Sequence, residues 1–271
     1  MNRALVVGIG DYGRLGQPLP GCANDLAGWR DLLAPTLGIA NGALRVRADD
    51  QATRNVLLAD LQWLLSDVSP GDQRVFFFAG HGARLRRRDP LSGIMQAVLE
   101  ETLVTYPGAS DELESYMLFD ADLATLIDQS GFPASGRLSL IIDACHSGGM
   151  ARELDDSPIA RCFKLDEEVQ KREWAQAMPV VRTFGSLETI DAVSRVIVAA
   201  ARAEQSAWDA RMPDGKRHGV FSYHALKALS ALSGLTFNTL ITTVTPPIAA
   251  EFPQNPTLLG DTSRFPGIIF N

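Results

Sequence analysis

Four short runs of the chain are rich in apolar, strand-favouring residues: 3–10, 75–79, 138–142 and the start of 194–209. Each has the length of one strand, and none alternates with polar residues. Such runs suit strands that are covered on both faces. Between them lie segments with apolar residues at helical spacing. Leu26, Trp29, Leu32 and Leu33 share one face of a helix predicted over 23–37, with Asn24 as its N-cap. Helices are also predicted over 51–68, capped by Thr53, and over 123–131 and 219–232, with an alternating strand over 43–50. Strands that alternate with helices predict an α/β fold: a central, mainly parallel sheet of about six strands with helices on both faces.

No repeat, low-complexity tract or linker divides the 271 residues into two domains. Two long connections, 84–121 and 150–193, follow strand ends and break the pattern, as functional loops do. In the first, Arg84, Arg86, Arg87 and Arg88 read as a solvated basic loop. A net charge of −7 and a pI near 5.1 speak against nucleic acid or an anionic membrane as partner. No run approaches a membrane span, and the start lacks the cleavage region of a signal peptide. The three cysteines, Cys22, Cys145 and Cys162, are too few for a disulfide framework. A cytoplasmic, reducing setting is therefore expected.

"GIGDYG", with Gly8, Gly10 and Gly13, matches a dinucleotide-binding fingerprint after a strand. That fingerprint needs a helix to open at once. Pro18 and Pro20 prevent it, so a flexible turn is expected instead.

Reactive side chains gather at the strand ends, where open α/β sheets bind ligands. The 75–79 run leads into "GHGA" with His81, and the 138–142 run into "DACHSGG" with Cys145. If these strands are neighbours, a thiol and an imidazole meet. The imidazole can activate the thiol and then protonate a leaving amine. The backbone N–H groups of Gly82 and Cys145 can serve a developing oxyanion. Packing alone rarely places such groups together there.

These residues give the chain its resemblance. It resembles the caspase-like cysteine peptidases of the caspase–haemoglobinase clan, and within them the metacaspases and prokaryotic orthocaspases. "RALVVGIGDYG", "LPGCANDL", "VFFFAGHGA", "LIIDACHSGG", "VIVAAARAEQSAWD", "GVFSYHALKAL" and "QNPTLLGD" follow the family order along nearly the whole chain. The resemblance implies one caspase-hemoglobinase domain over 1–271. Its larger p20-like part covers about 1–150, a loop about 150–193, and a p10-like part about 194–271. It also implies a His81–Cys145 dyad and a substrate pocket lined by Asp25 and Asp143, with Cys22 alongside. Ala79 stands where many metacaspases carry serine.

Two carboxylates in one narrow pocket repel each other and need a cation. Arginine satisfies both, lysine less completely, and an aspartate side chain would add a third negative charge. The expected activity is an endopeptidase cutting after Arg, less readily Lys, in protein substrates that expose them. The alternative is a catalytically silent module of the same fold. The resemblance further implies activation by cleavage in the loop after Cys145, by the chain itself or by an upstream protease. Arg152, Arg161, Lys164, Lys171, Arg172 and Arg182 are the candidate positions. Calcium is a cofactor of many relatives, but the family's paired acids are poorly reproduced by "LIDQSG", and no set of ligands can be assembled from Asp111, Glu112, Glu114, Asp120, Asp122 and Asp128. A monomer is expected. Trp208 is a candidate wall of the cleft. His146 and Cys162 receive no role, and His218 and His224 read as surface or helix residues.

Overall fold

A computed structural model describes residues 1–40, 42–88, 97–110, 112–133, 135–146, 157–164, 180–182 and 195–270. Its strands are β1 (Arg3–Gly8), β2 (Leu44–Ala48), β3 (Gln73–Ala79), β4 (Gly82–Arg88), β5 (Ala97–Val104), β6 (Met117–Phe119), β7 (Arg137–Asp143), β8 (Ile159–Ala160), β9 (Val180–Arg182), β10 (Arg195–Ala199), β11 (Trp208–Arg211), β12 (Arg217–Gly219) and β13 (Thr257–Gly260). The helices are α1 (Gly21–Thr36), α2 (Arg54–Leu65), α3 (Asp120–Gln129), α4 (Val220–Ala231) and α5 (Phe237–Glu251).

Six strands form the central sheet in the order β13-β10-β7-β3-β1-β2. All its pairings are parallel except that of the edge strand β13. The expectation of a mainly parallel six-stranded α/β sheet is met. The apolar runs form its centre because they are covered on both faces. Every residue of β1 and β3 is buried, and all of β7 except Arg137. Phe77 of β3 stacks on Trp29 of α1 with ring centroids 4.9 Å apart. The indole N–H of Trp29 donates to Ser222 of α4.

Two local expectations are corrected, and one helix forms that was not predicted. First, α1 starts at Gly21, two residues before the predicted start, and Asn24 is no cap: its side chain donates to the carbonyl of Arg217. Second, the arginine run is strand β4 and not a solvated loop. It pairs antiparallel with β5 so that Arg84 opposes Glu101, and their side chains form an ion pair at 2.9 Å. The partner strand, invisible to a local reading, gives the run its place. The helix not predicted is α5, which forms although its sequence is rich in threonine and holds Pro246 and Pro247. Thr242, Thr243 and Thr245 turn their hydroxyls back onto carbonyls of the preceding turn. Both prolines lie on the exposed face, where water can serve the carbonyls they leave without an N–H. Phe237, Leu240, Val244 and Ile248 form the buried stripe.

Candidate active site

β3 and β7 are neighbours in parallel register, Ala79 opposite Asp143. His81 and Cys145 each follow two residues later, at the same end of adjacent strands. Both are almost wholly buried, at 1% and 2% exposure. Gly82 lies between them under tight constraint: a Cβ there would stand 2.5 Å from the carbonyl oxygen of Cys145 and 2.8 Å from the ring of His146. Only glycine fits so close an approach.

The imidazole of His81 is oriented by the loop after β1. Its Nε2 lies 2.7 Å from the carbonyl oxygen of Gln17. A carbonyl can only accept, so Nε2 carries the proton and Nδ1 keeps its lone pair. Nδ1 is buried and has no hydrogen-bond partner among the described residues. Burial lowers the pKa of His81 to about 4, with the nearby Arg161 charge acting in the same direction. The ring is therefore a neutral base at neutral pH. Tyr12 braces it from behind, with ring centroids 4.9 Å apart, and its hydroxyl accepts from the backbone N–H of His81 at 2.6 Å. The glycine-rich turn at residues 8–13 thus opens the loop that carries Tyr12 and Gln17 to the imidazole.

Asp25 and Asp143 face one buried cation, and that cation belongs to the chain itself. The guanidinium of Arg161 donates to Asp25 Oδ2 at 2.5 Å and pairs with Asp143 Oδ2 at 3.1 Å and Asp209 Oδ2 at 3.5 Å. Arg161 and all three acids are wholly inaccessible to solvent. Each acid has further donors. Asp143 accepts from the hydroxyl and backbone N–H of Ser222, Asp25 from the N–H of Gly219, and Asp209 from the N–H of Gly21 and from Arg217. Burial would lower the pKa of Arg161, but the four anionic or ionisable groups around it, Asp143, Cys22, Asp25 and Asp209, raise it well above its usual value. Burial raises Asp143 to about 6, Asp25 adding to the rise while Arg161 opposes it. Gly219 makes room for the cation: a Cβ there would come 2.6 Å from an Nη of Arg161.

The backbone of Arg161 is held as closely as its side chain. Its carbonyl oxygen accepts from the N–H of Gly82 at 2.9 Å and from that of Cys145 at 3.2 Å, and its N–H donates to Ala207 at 2.8 Å. The preceding residues form β8, which pairs antiparallel with β11. Of the six candidate loop positions, Arg161 is thus seated among the predicted site residues. Lys164 lies exposed just beyond it. Arg182 ends β9, which pairs with β5. Arg152, Lys171 and Arg172 lie outside the described residues.

Several residues depart from their expected roles. Cys162 is not incidental. Its thiol donates to the Phe163 carbonyl and that of Cys145 to the Ala207 carbonyl; the two thiols are close enough that their interaction lowers the pKa of Cys162, while burial and the same interaction raise that of Cys145. His218 is buried against Asp25, Nδ1 to Oδ1 at 3.1 Å, and is not a surface residue. Burial would lower its pKa, but Asp25 and Asp214 raise it. Trp208 pairs with the cleft segment through its backbone, opposite Ala160. Cys22 is buried close enough to Arg161 and the three acids to feel their charges. Ala79 is buried within β3. His146 lies beside Glu101, outside the pocket of acids. Asp209, Ser222 and the Gln17 carbonyl are site groups that motif reading missed. The acid closing "QSAWD" was the available signal for Asp209; a backbone carbonyl has none.

The acids considered for calcium do not converge. Asp122 is spent on Arg54 and on the N–H of Phe119, Asp128 is exposed at the far end of α3, and Asp111 lies outside the described residues. Among the described residues no group of three His, Cys, Asp or Glu side chains is placed to hold a metal ion. No described helix is long and apolar enough to cross a membrane.

Comparison with known proteins places this arrangement in a family. Residues 2–154, more than half of the chain, match the model of the metacaspase, peptidase C14 domain. The chain belongs to the metacaspase family. It is 22% identical to Metacaspase-1 of Scheffersomyces stipitis over 95% of its own length and 70% of that protein's. It is 30% identical to Metacaspase-2 of Trypanosoma brucei brucei over 55% of its length, which spans 42% of that relative, and to Metacaspase-1 of Meyerozyma guilliermondii over 54%, which spans 35%. The crystal structure of a Geobacter sulfurreducens protein, 19% identical, matches all of the chain and 98% of that structure with a TM-score of 0.65, a likeness of fold.

Proposed function

We propose that this metacaspase is a cysteine endopeptidase that cuts after arginine, less readily after lysine, and that the Arg161–Cys162 bond of its own chain is its first substrate. One observation carries the reading: Arg161 is seated with its guanidinium on three buried carboxylates and its carbonyl oxygen on two convergent N–H groups beside Cys145.

The chemistry follows from the placement. Burial keeps the Cys145 thiol protonated and His81 neutral at rest. Nδ1 of His81 takes the thiol proton as the sulfur attacks the Arg161 carbonyl carbon. The carbonyl oxygen gains negative charge and is stabilised by the N–H groups of Gly82 and Cys145. The carbon–nitrogen bond to Cys162 then breaks, and His81 gives its proton to the departing amine. Water, deprotonated by His81, hydrolyses the Cys145 thioester, leaving the Arg161 carboxylate and the free thiol. The three acids supply the charge selection, because without a guest cation the pocket holds three buried carboxylates against Arg217 and His218. Cleavage of its own loop would free the cleft for other chains.

Fluorogenic peptides ending in Arg, Lys or Asp test the specificity. Release is expected in the order Arg, then Lys, with none after Asp, and is lost in Cys145→Ala. Release after Asp, or Arg release that survives Cys145→Ala, would contradict it.

A pH dependence follows as well. His81 stays neutral down to about 4, so it does not set the acid limb near neutrality. Asp143 titrates near 6. Below that pH it is protonated and its hold on the arginine weakens; above it the carboxylate is charged. The rate of cutting after Arg161 is therefore expected to fall as pH drops through about 6. In Asp143→Asn the plateau is lower and this limb disappears, which a rate–pH profile of both proteins reads directly.

A further inference from the structure

The segment in the cleft continues past Arg161, and its next residues are held as firmly as those before it. On the near side, Ile159 and Ala160 pair with β11. Beyond the arginine the partner changes. Cys162 forms a parallel bridge with Gly82, the first residue of β4, and the N–H of Phe163 donates to the Gly82 carbonyl at 2.7 Å. Lys164 is clamped by Gln17: its N–H donates to Oε1 at 3.0 Å, and Nε2 donates to its carbonyl at 3.4 Å. The Phe163 side chain is buried, with its ring edge-on to that of His81 and centroids 5.8 Å apart.

We infer that the groove between the start of β4 and the Gln17 loop is a subsite for the residues after the cut, and that it selects an aromatic side chain two positions beyond the arginine. The substrate class is then an extended segment of the form Arg, any residue, aromatic. This rests on the peptidase reading above. Two physical features favour an aromatic there. The wall offered to the side chain is the ring of His81, which suits edge-to-face contact. A bulky apolar group also covers the imidazole from water, whereas a charged one would be desolvated without a partner.

The test uses the protein in reductant with three peptides. The first carries residues 157–164 between a fluorophore and a quencher. The second has alanine at the Phe163 position. The third ends at the arginine with a fluorogenic amine. In parallel, the chain's own cutting is timed in Phe163→Ala and Phe163→Trp, with folding checked by thermal unfolding of the same changes in a Cys145→Ala background. The expected result is a kcat/KM about tenfold or more lower for the alanine peptide, as for loss of a mostly buried aromatic. Self-cutting slows to match in Phe163→Ala and recovers in Phe163→Trp. Equal rates for the first two peptides, with amine released from the third, overturn the subsite and leave the peptidase standing. Silence toward all three, with no self-cutting, overturns the peptidase and the subsite with it.

Discussion

In Asp25→Ala, cutting after Arg161 falls by a factor on the order of 10² to 10³. Asp25 makes the shortest contact to the guanidinium, at 2.5 Å, and its second oxygen holds His218. Removing one partner of a buried, hydrogen-bonded ion pair costs about 3–5 kcal/mol, and the cost here falls toward the low end because Asp143 and Asp209 stay on the guanidinium. At about 1.4 kcal/mol per decade, that loss sets the size of the effect. Asp209→Asn should do less. Its contact to Arg161 is longer, at 3.5 Å, and Gly21 and Arg217 also occupy it. A time course of fragment appearance measures both variants; unchanged rates in Asp25→Ala would mean that the pocket does not hold the scissile residue.

The second large effect concerns access to the nucleophile. In Arg161→Ala, alkylation of Cys145 by iodoacetamide should accelerate by about 10²-fold. In the intact chain Cys145 is 2% exposed, covered by a segment whose side-chain anchor is Arg161. Without the guanidinium, three buried carboxylates lose their counter-charge and are better solvated by water than by alanine. The remaining ties of the segment are backbone hydrogen bonds, among them the short β8–β11 pairing and those of Arg161, Phe163 and Lys164, each of modest net worth, together with the buried Phe163 ring. The segment then leaves, and the thiol meets solvent. Peptide mapping of the alkylated protein distinguishes Cys145 from Cys22 and Cys162. Equal alkylation in the two proteins would show that Arg161 is not the anchor.

How much of this could be read from the chain depends on where each signal resides. The central strands were legible because burial on both faces leaves unbroken apolar runs. His81, Gly82 and Cys145 were legible because strand ends in such sheets collect reactive groups and short motifs mark them, whereas Asp25, inside α1, and Asp143 came as site residues only with the family resemblance. Arg161 was one of six basic candidates, and nothing local distinguished it. Its selection depends on β8 finding β11 and on the Gly82 and Cys145 N–H groups converging, which are long-range events. Asp209, Ser222 and His218 were missed for a related reason. They sit on strands of three or four residues or at a helix start, too short to carry a period. The arginine run was misread because its partner strand β5, with Glu101 opposite Arg84, is not adjacent in the local reading. Helix α5 was missed because threonine and proline argue against helix locally, while the helix is held by a buried stripe.

The central claim is that the cleft is poised on its own Arg161–Cys162 bond. The most direct measurement is intact mass and N-terminal sequencing of the purified chain after incubation at neutral pH in reductant, beside Cys145→Ala. The account predicts two fragments in the wild type, the second beginning at Cys162, and a single uncut chain in the variant. A wild-type chain that stays whole, or one first cut elsewhere with the Arg161–Cys162 bond intact, would contradict it.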